Sequence, residues 1–297
     1  MRIAVIGGGL SGVATAFYLI NQQAGKVDLF ESDEQLGGRA GSELLGKRRV
    51  DFGGKNIGKH YQRFREFAQA CGNPDYEYFG INTSQLINGR IISLSRDRAK
   101  LYNALKLARL CGLRGIRQIY PHLKAILADR NQGVLASEFF RKISDQFDHI
   151  TLAQFFSSPC VNNLIRPITI RMNGAEPEEC YPGNFGSNLS IAIDSYEQHT
   201  EAIHWLLDRF KSKHESKSHK ILIGHRVHSI TNDSGSIMIG YQHRDTLGEA
   251  RYDMVISALP AHALANLLEK SIPETSVLLQ KVQYYPVGIA IAKYRDE

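Results

Sequence analysis

The sequence predicts an α/β fold: a parallel sheet flanked by helices, with a second, mainly helical plus mixed-sheet domain. Three observations predict it. The first forty residues read as strand, glycine-rich turn, helix and strand without interruption; the middle of the chain turns helical and basic; β-type runs return after residue 220. At 297 residues and 43% hydrophobic, the chain carries enough apolar mass for two domains.

Arg2 to Ile6 is a short apolar run, β-branched in its second half, which suits a parallel strand buried on both faces. Gly7-Gly8-Gly9-Leu10-Ser11-Gly12 stops it and fits G-x-G-x-x-G, the turn of a Rossmann-type dinucleotide site. In that reading Gly7 permits the tight turn, Gly9 the approach of a pyrophosphate, and Gly12 close packing of helix on strand. Ser11, in the same turn, is counted with them as cofactor-binding. Val13, Ala16, Phe17 and Ile20 recur at helical spacing, so a helix opens at the glycines with its free N–H groups towards an anion. Val27 to Glu31 reads as the next strand. Glu31 stands nineteen positions beyond Gly12, where a carboxylate accepts from ribose hydroxyls.

The segment that follows narrows the cofactor. Glu31 to Ala40 matches E-x-x-x-x-x-G-G-R-[AS] through Gly37, Gly38 and Arg39, and Asp51-Phe52-Gly53-Gly54-Lys55-Asn56-Ile57-Gly58 matches D-x-G-G-x-x-x-G. With these motifs the chain resembles the superfamily of FAD-dependent amine oxidases and protoporphyrinogen oxidases, which also includes phytoene desaturases and UDP-galactopyranose mutases. The resemblance implies FAD as cofactor, with Gly38 and Arg39 along the pyrophosphate and Gly53 and Gly54 beneath the flavin end. A second close backbone approach and a fixed cation suit a dinucleotide with two phosphates.

Composition sets bounds. No apolar run is long enough to span a bilayer, and the N-terminus reads as a structural strand rather than a signal peptide, so a cytoplasmic location is the default expectation. Cys71, Cys111, Cys160 and Cys180 are widely spaced, which reads as reduced structural thiols; no metal site is expected. The net charge of +6 is unevenly placed: Arg90 to Arg130 holds ten Lys or Arg against Asp97 and Asp129. Without an aromatic-interleaved basic motif or a recognition helix, no nucleic-acid partner is expected.

Further along, His60 to Cys71 has helical periodicity with a stop at Gly72-Asn73-Pro74, and Tyr76 to Phe79, Ser84 to Ile87 and Arg90 to Leu94 are β-type, the last two joined by Asn88-Gly89. Asp97 to about Phe156 reads as helical. Its basic face is either a solvated covering of an ordinary core, the favoured reading, or a peripheral contact for an anionic membrane or lipid-like substrate through 90–130. Arg166 to Asn188 is irregular, with Tyr181 and Asn184 as pocket-lining candidates or ordinary loop residues. Leu189 to Phe210 reads as one helical stretch, and Lys211 to Lys220 as a solvated turn. Ile221 to Ile230, Ser236 to Gln242 and Arg251 to Ser257 read as a meander of three strands.

The resemblance implies that Val227 holds the adenine through its backbone, and that Asp253 to Pro260 is the strand and turn that follow. It also implies a strand over Lys281 to Tyr294, then a second glycine-rich flavin segment that has no match before Glu297. The expected organisation is an FAD-binding domain from 1–75 and 189–268 and an incomplete substrate domain from 76–188 and 269–297, with a partner chain open as the source of the rest. The expected function is an FAD-dependent oxidoreductase passing hydride from a small or lipid-like organic substrate to flavin. The alternatives are a mutase-like flavoenzyme without net redox and a non-catalytic remnant. No catalytic residue is assigned; Lys293, His60 and His225 are titratable residues that the sequence places beside no substrate.

Overall fold

The structure, a computed structural model, describes residues 1–54, 56–78, 82–87, 89–95, 100–194, 196–233, 235–284, 286 and 288–293. Lys55, Phe79, Asn88, Asp97 and Tyr294, all within segments read above, lie outside them.

Four parallel strands form the central sheet in the order His219–Leu222, Lys26–Phe30, Arg2–Ile6, Met254–Ser257. Two come from the N-terminal unit and two from the late β-type runs, so the sheet joins chain segments some two hundred residues apart. Ile3, Ala4, Val5, Val27, Leu29 and Phe30 are fully buried, as a strand covered on both faces requires. One face packs on helices Leu10–Asn21, Gln62–Ala70 and Ala202–His214 through Phe17, Phe67, Leu206 and Phe210. The other face packs Ala4, Ile6 and Phe30 on Ile239 and Tyr252 of an antiparallel three-stranded sheet, His225–Asp233, Ser236–His243 and Thr246–Tyr252.

Asp28 is a carboxylate inside this sheet, and its burial is tolerated because both its partners are in place. Arg2 Nη2 donates to it at 2.8 Å and Tyr252 Oη at 2.7 Å, with the guanidinium 4.5 Å from the Tyr252 ring centre. The three side chains tie two adjacent strands of the parallel sheet to the antiparallel sheet packed on it.

A second apolar cluster belongs to the helical region: helix Lys100–Ala128, bent at Gly112, with helices Glu138–Phe147, Arg166–Asn173 and Phe185–Ile193. Gly112 has φ +67, a left-handed conformation that suits glycine and breaks the helix. Between the two clusters lies a small antiparallel sheet in the order Ile57–Gly58, Tyr196–His199, Tyr76–Tyr78. The four cysteines are free, three of them buried.

Three sequence readings need correction. Leu189 to Phe210 is not one helix: it divides into the end of Phe185–Ile193, strand Tyr196–His199 and helix Ala202–His214. The polar pattern of Tyr196–His199 is decided by its pairing with Ile57 and Tyr76, which no local signal shows. Ile221 to Ile230 breaks at Gly224, φ +67, into a parallel strand and the first strand of the meander. Lys281 to Tyr294 forms no strand among its described residues; a strand needs a paired neighbour, and none of the described strands pairs with it. Helix Pro273–Gln280 packs on Ala261–Leu268, with Ser276 Oγ donating to Ala265 O at 2.8 Å, across the boundary read at 268.

Candidate functional site

Three glycine segments stack at the C-terminal ends of the parallel strands. The first is the turn after Arg2–Ile6. Gly7 N–H donates to Phe30 O and Ala258 N–H to Ile6 O, both at 2.8 Å, so the turn is held from both sides. A Cβ on Gly12 would lie 1.8 Å from Gly7 O, which is why the helix can rest on the strand only with glycine there. A Cβ on Gly9 would meet no atom within 4 Å. The turn therefore closes tightly on its protein side and stands open on the other.

The second segment lies against the first. Gly37 N–H donates to Gly8 O at 2.9 Å, Gly9 and Gly37 form a parallel bridge, and a Cβ on Gly38 would come 3.2 Å from Gly9 Cα. Arg39 follows, exposed. The third segment lies on the second: a Cβ on Gly53 would sit 2.1 Å from Arg39 O, and one on Gly54 3.2 Å from Ala40 Cβ. Asp51, just before it, accepts from Ile203 N–H at 3.0 Å and anchors the start of helix Ala202–His214. The sequence predicted three separate glycine motifs; the fold puts them in contact.

Glu31 is 8% exposed, and its carboxylate is already engaged. Oε2 accepts from Gly8 N–H at 2.6 Å, while Oε1 accepts from Asp33 N–H at 2.9 Å and from Ser32 Oγ at 3.1 Å. Since an ionised carboxylate offers about four lone-pair sites, room for a further donor is left. The sequence read Glu31 only as a ribose acceptor and missed its bracing of the glycine turn.

Val227 is brought to the same end. His225 N–H donates to Glu31 O at 2.7 Å, and two residues on the strand bulges: Val227 pairs with Tyr241 and Ser229 with Gly240, which leaves His228 without an opposite number. His225 stacks on His243 at 4.1 Å. Ala258, which the sequence reading did not single out, walls the turn: Cβ atoms on Gly7 and Gly12 would both approach it at 3.3 Å. The signal was a small residue directly after the strand Met254–Ser257.

These residues fit a dinucleotide with two phosphates. Helix Leu10–Asn21 has no acidic residue in its first turn and no side-chain cap, so its N–H groups face outward uncompensated, beside exposed Arg39. Asn56, two residues past Gly54, has a buried Oδ1 without a partner among the described residues, an acceptor at the flavin end of the motif. Other candidates fall elsewhere. Lys293 Nζ lies 2.9 Å from the Cβ position of Gly46, at a hairpin turn. Tyr181 and Asn184 are both exposed, Tyr181 just before and Asn184 at the end of the 3-10 turn Pro182–Asn184. His60 Nε2 is 3.8 Å from Asp194 Oδ1. A 590 Å³ cavity lined by Arg2, Lys26, His219 and Asp253 lies at the opposite, N-terminal end of the strands. Among the described residues, no group of His, Cys, Asp and Glu has metal-binding geometry.

His199 is 4% exposed in the small sheet, between Tyr76 and Phe64. Burial, and then the Arg65 guanidinium, push its pKa down to about 4. In the unfolded chain the imidazole protonates near 6.5, so acid favours unfolding: stability present above pH 6.5 is lost as pH falls towards 4, by about 3 kcal/mol. Urea denaturation at pH 7, 5.5 and 4 should show that slope, and His199→Phe should flatten it; an unchanged slope would remove His199 as its source.

A family model described as flavin containing amine oxidoreductase matches residues 10–297. Prenylcysteine oxidase 1 of Pongo abelii is 29% identical over 119 residues, 39% of this chain and 23% of that protein. Among solved structures, cyclohexylamine oxidase from Brevibacterium oxydans IH-35A superposes with a TM-score of 0.67 at 20% identity, over 94% of this chain and 62% of the other. A CLA-producing fatty acid isomerase from P. acnes gives 0.63 at 17%, over 90% and 60%. The chain thus spans less than two thirds of the length of each of these proteins. With the family pattern running from the glycine turn to the last residue, the chain belongs to the flavin-containing amine oxidoreductases, and FAD is its cofactor.

Proposed function

We propose that the chain is the FAD-binding part of an oxidoreductase that removes hydride from a C–H or C–N carbon of a small or lipid-like organic molecule. The stacked glycine cradle, open above Gly9 and closed beneath Gly12, carries this reading. Gly7, Gly9, Ser11, Gly12, Gly38 and Arg39 would hold the pyrophosphate, Glu31 the ribose, the Val227 backbone the adenine, and Gly53 and Gly54 the flavin end. When bound, the flavin supplies the electron sink, and the protein's task is to orient the substrate and exclude water. Residues 1–75 with 189–268 would form the flavin unit, and 76–188 with 269–297 the substrate-side unit.

The purified chain, reconstituted with FAD, should show a flavin absorption band that bleaches anaerobically with one class among amines, polyenes, fatty acids and porphyrinogens. Bleaching by one class names the substrate. A chain that takes up no FAD, or a loaded chain that none of them reduces, would overturn the proposal.

A further inference from the structure

Helix Lys100–Ala128 carries six Lys or Arg and no Asp or Glu, a charge equal to the net +6 of the whole chain. Most helices of this length in a globular protein interleave both signs on their exposed side. After the bend at Gly112 the second half shows why this one differs. Leu113, Arg117, Tyr120, Lys124 and Leu127 recur at spacings of four and three, which puts them on one face over about 21 Å. That face points away from the core. Leu113 is 86% exposed, Leu127 61% and Tyr120 59%, while Ile119, His122 and Ile126 on the opposite side are buried in the second cluster. Among the described residues Arg109, Arg114, Arg117 and Lys124 form no ion pair. The apolar exposure continues in the helix's first half at Leu101 and Leu105.

We propose that this face of helix Lys100–Ala128 is a docking surface for an anionic lipid bilayer. Exposed leucines and a tyrosine interleaved with uncompensated cations are what an interfacial helix presents, its apolar side chains entering the acyl boundary while the long basic ones reach the headgroups. A protein partner fits less well, because the centre of a protein interface is depleted in charged residues. A second copy fits worst, since a two-fold pairing would set Arg117 and Lys124 against their own repeats. No helix among the described residues is long and apolar enough to cross a membrane, so the contact is peripheral. The inference goes beyond the proposed chemistry and does not depend on it.

Vesicle flotation of the FAD-loaded chain tests it. Binding should be strong to phosphatidylcholine vesicles containing 30% phosphatidylserine, weak to phosphatidylcholine alone, and reduced by salt. Arg117→Gln with Lys124→Gln should lower partitioning roughly fivefold per cation. Leu113→Ser with Leu127→Ser should lower it at least about tenfold. Circular dichroism and the flavin spectrum report whether the variants remain folded and loaded, which separates a failure here from a failure of the flavin reading. Should either double variant prove misfolded, the single changes Lys124→Gln and Leu113→Ser replace it. Absence of binding to anionic vesicles, binding indifferent to both pairs of changes, or a concentration-dependent dimer abolished by Leu113→Ser would each overturn the proposal.

Discussion

Gly12→Ala is expected to cost the chain both its stability and its flavin, whereas Gly9→Ala, three residues away in the same turn, is expected to cost the flavin alone. The difference lies in what each new Cβ would meet. At Gly12 it would stand 1.8 Å from Gly7 O, 3.0 Å from Gly7 C and 3.3 Å from Ala258 Cβ. Two of those atoms are backbone held by the sheet, so the clash is relieved only by lifting helix Leu10–Asn21. That movement would pull Val13, Ala16 and Phe17 from the first apolar cluster. A loss of about 3 kcal/mol follows, or roughly 5 °C in Tm. At Gly9 the same methyl meets nothing within 4 Å of protein and projects where a phosphate must come close to the backbone. Thermal unfolding of the two apo variants, beside flavin content after reconstitution, separates the effects. A Gly9→Ala protein that holds FAD stoichiometrically would move the pyrophosphate elsewhere.

The contrast also marks what the sequence could show. Arg2 to Glu31 was legible because strand, turn and helix there are specified by neighbours in the chain: apolar runs, missing Cβ atoms and helical spacing all act within a few residues. The contact of Gly38 with Gly9 and of Gly53 with Arg39 is set by folding between distant segments, and only the family resemblance hinted at it. Tyr196–His199 was misread for a related reason. Its polar residues have no strand signature of their own and become a strand because Tyr76–Tyr78 and Ile57–Gly58 pair with it on either side. The absence of acidic residues from 100–128 was plain in the sequence. That Leu113, Tyr120 and Leu127 point outwards was not, since an apolar position at helical spacing is more often core than surface.

Glu31 is expected to resist even its closest substitution. A glutamine has the right shape but only one acceptor oxygen, while Glu31 accepts at both: from Gly8 N–H at Oε2 and from Asp33 N–H and Ser32 Oγ at Oε1. Whichever way the amide turns, an NH₂ group faces a backbone donor. Glu31→Gln should therefore lose about 1–2 kcal/mol of apo-protein stability, and Glu31→Ala, which strands two backbone N–H groups near a buried turn, about 1–3 kcal/mol. Affinity for FAD should fall at least about tenfold in both, since a loosened Gly8 displaces Gly9, its neighbour in the chain, and Gly37, whose N–H its carbonyl accepts. Urea denaturation of the apo-proteins and fluorescence titration with FAD measure the two losses independently. Lost stability with intact affinity would make Glu31 a brace for the turn and no ribose ligand; lost affinity with intact stability would make it the reverse. Both losses together are what a carboxylate shared between turn and ligand requires, because the same two oxygens must hold the cradle's shape before they can accept anything placed in it.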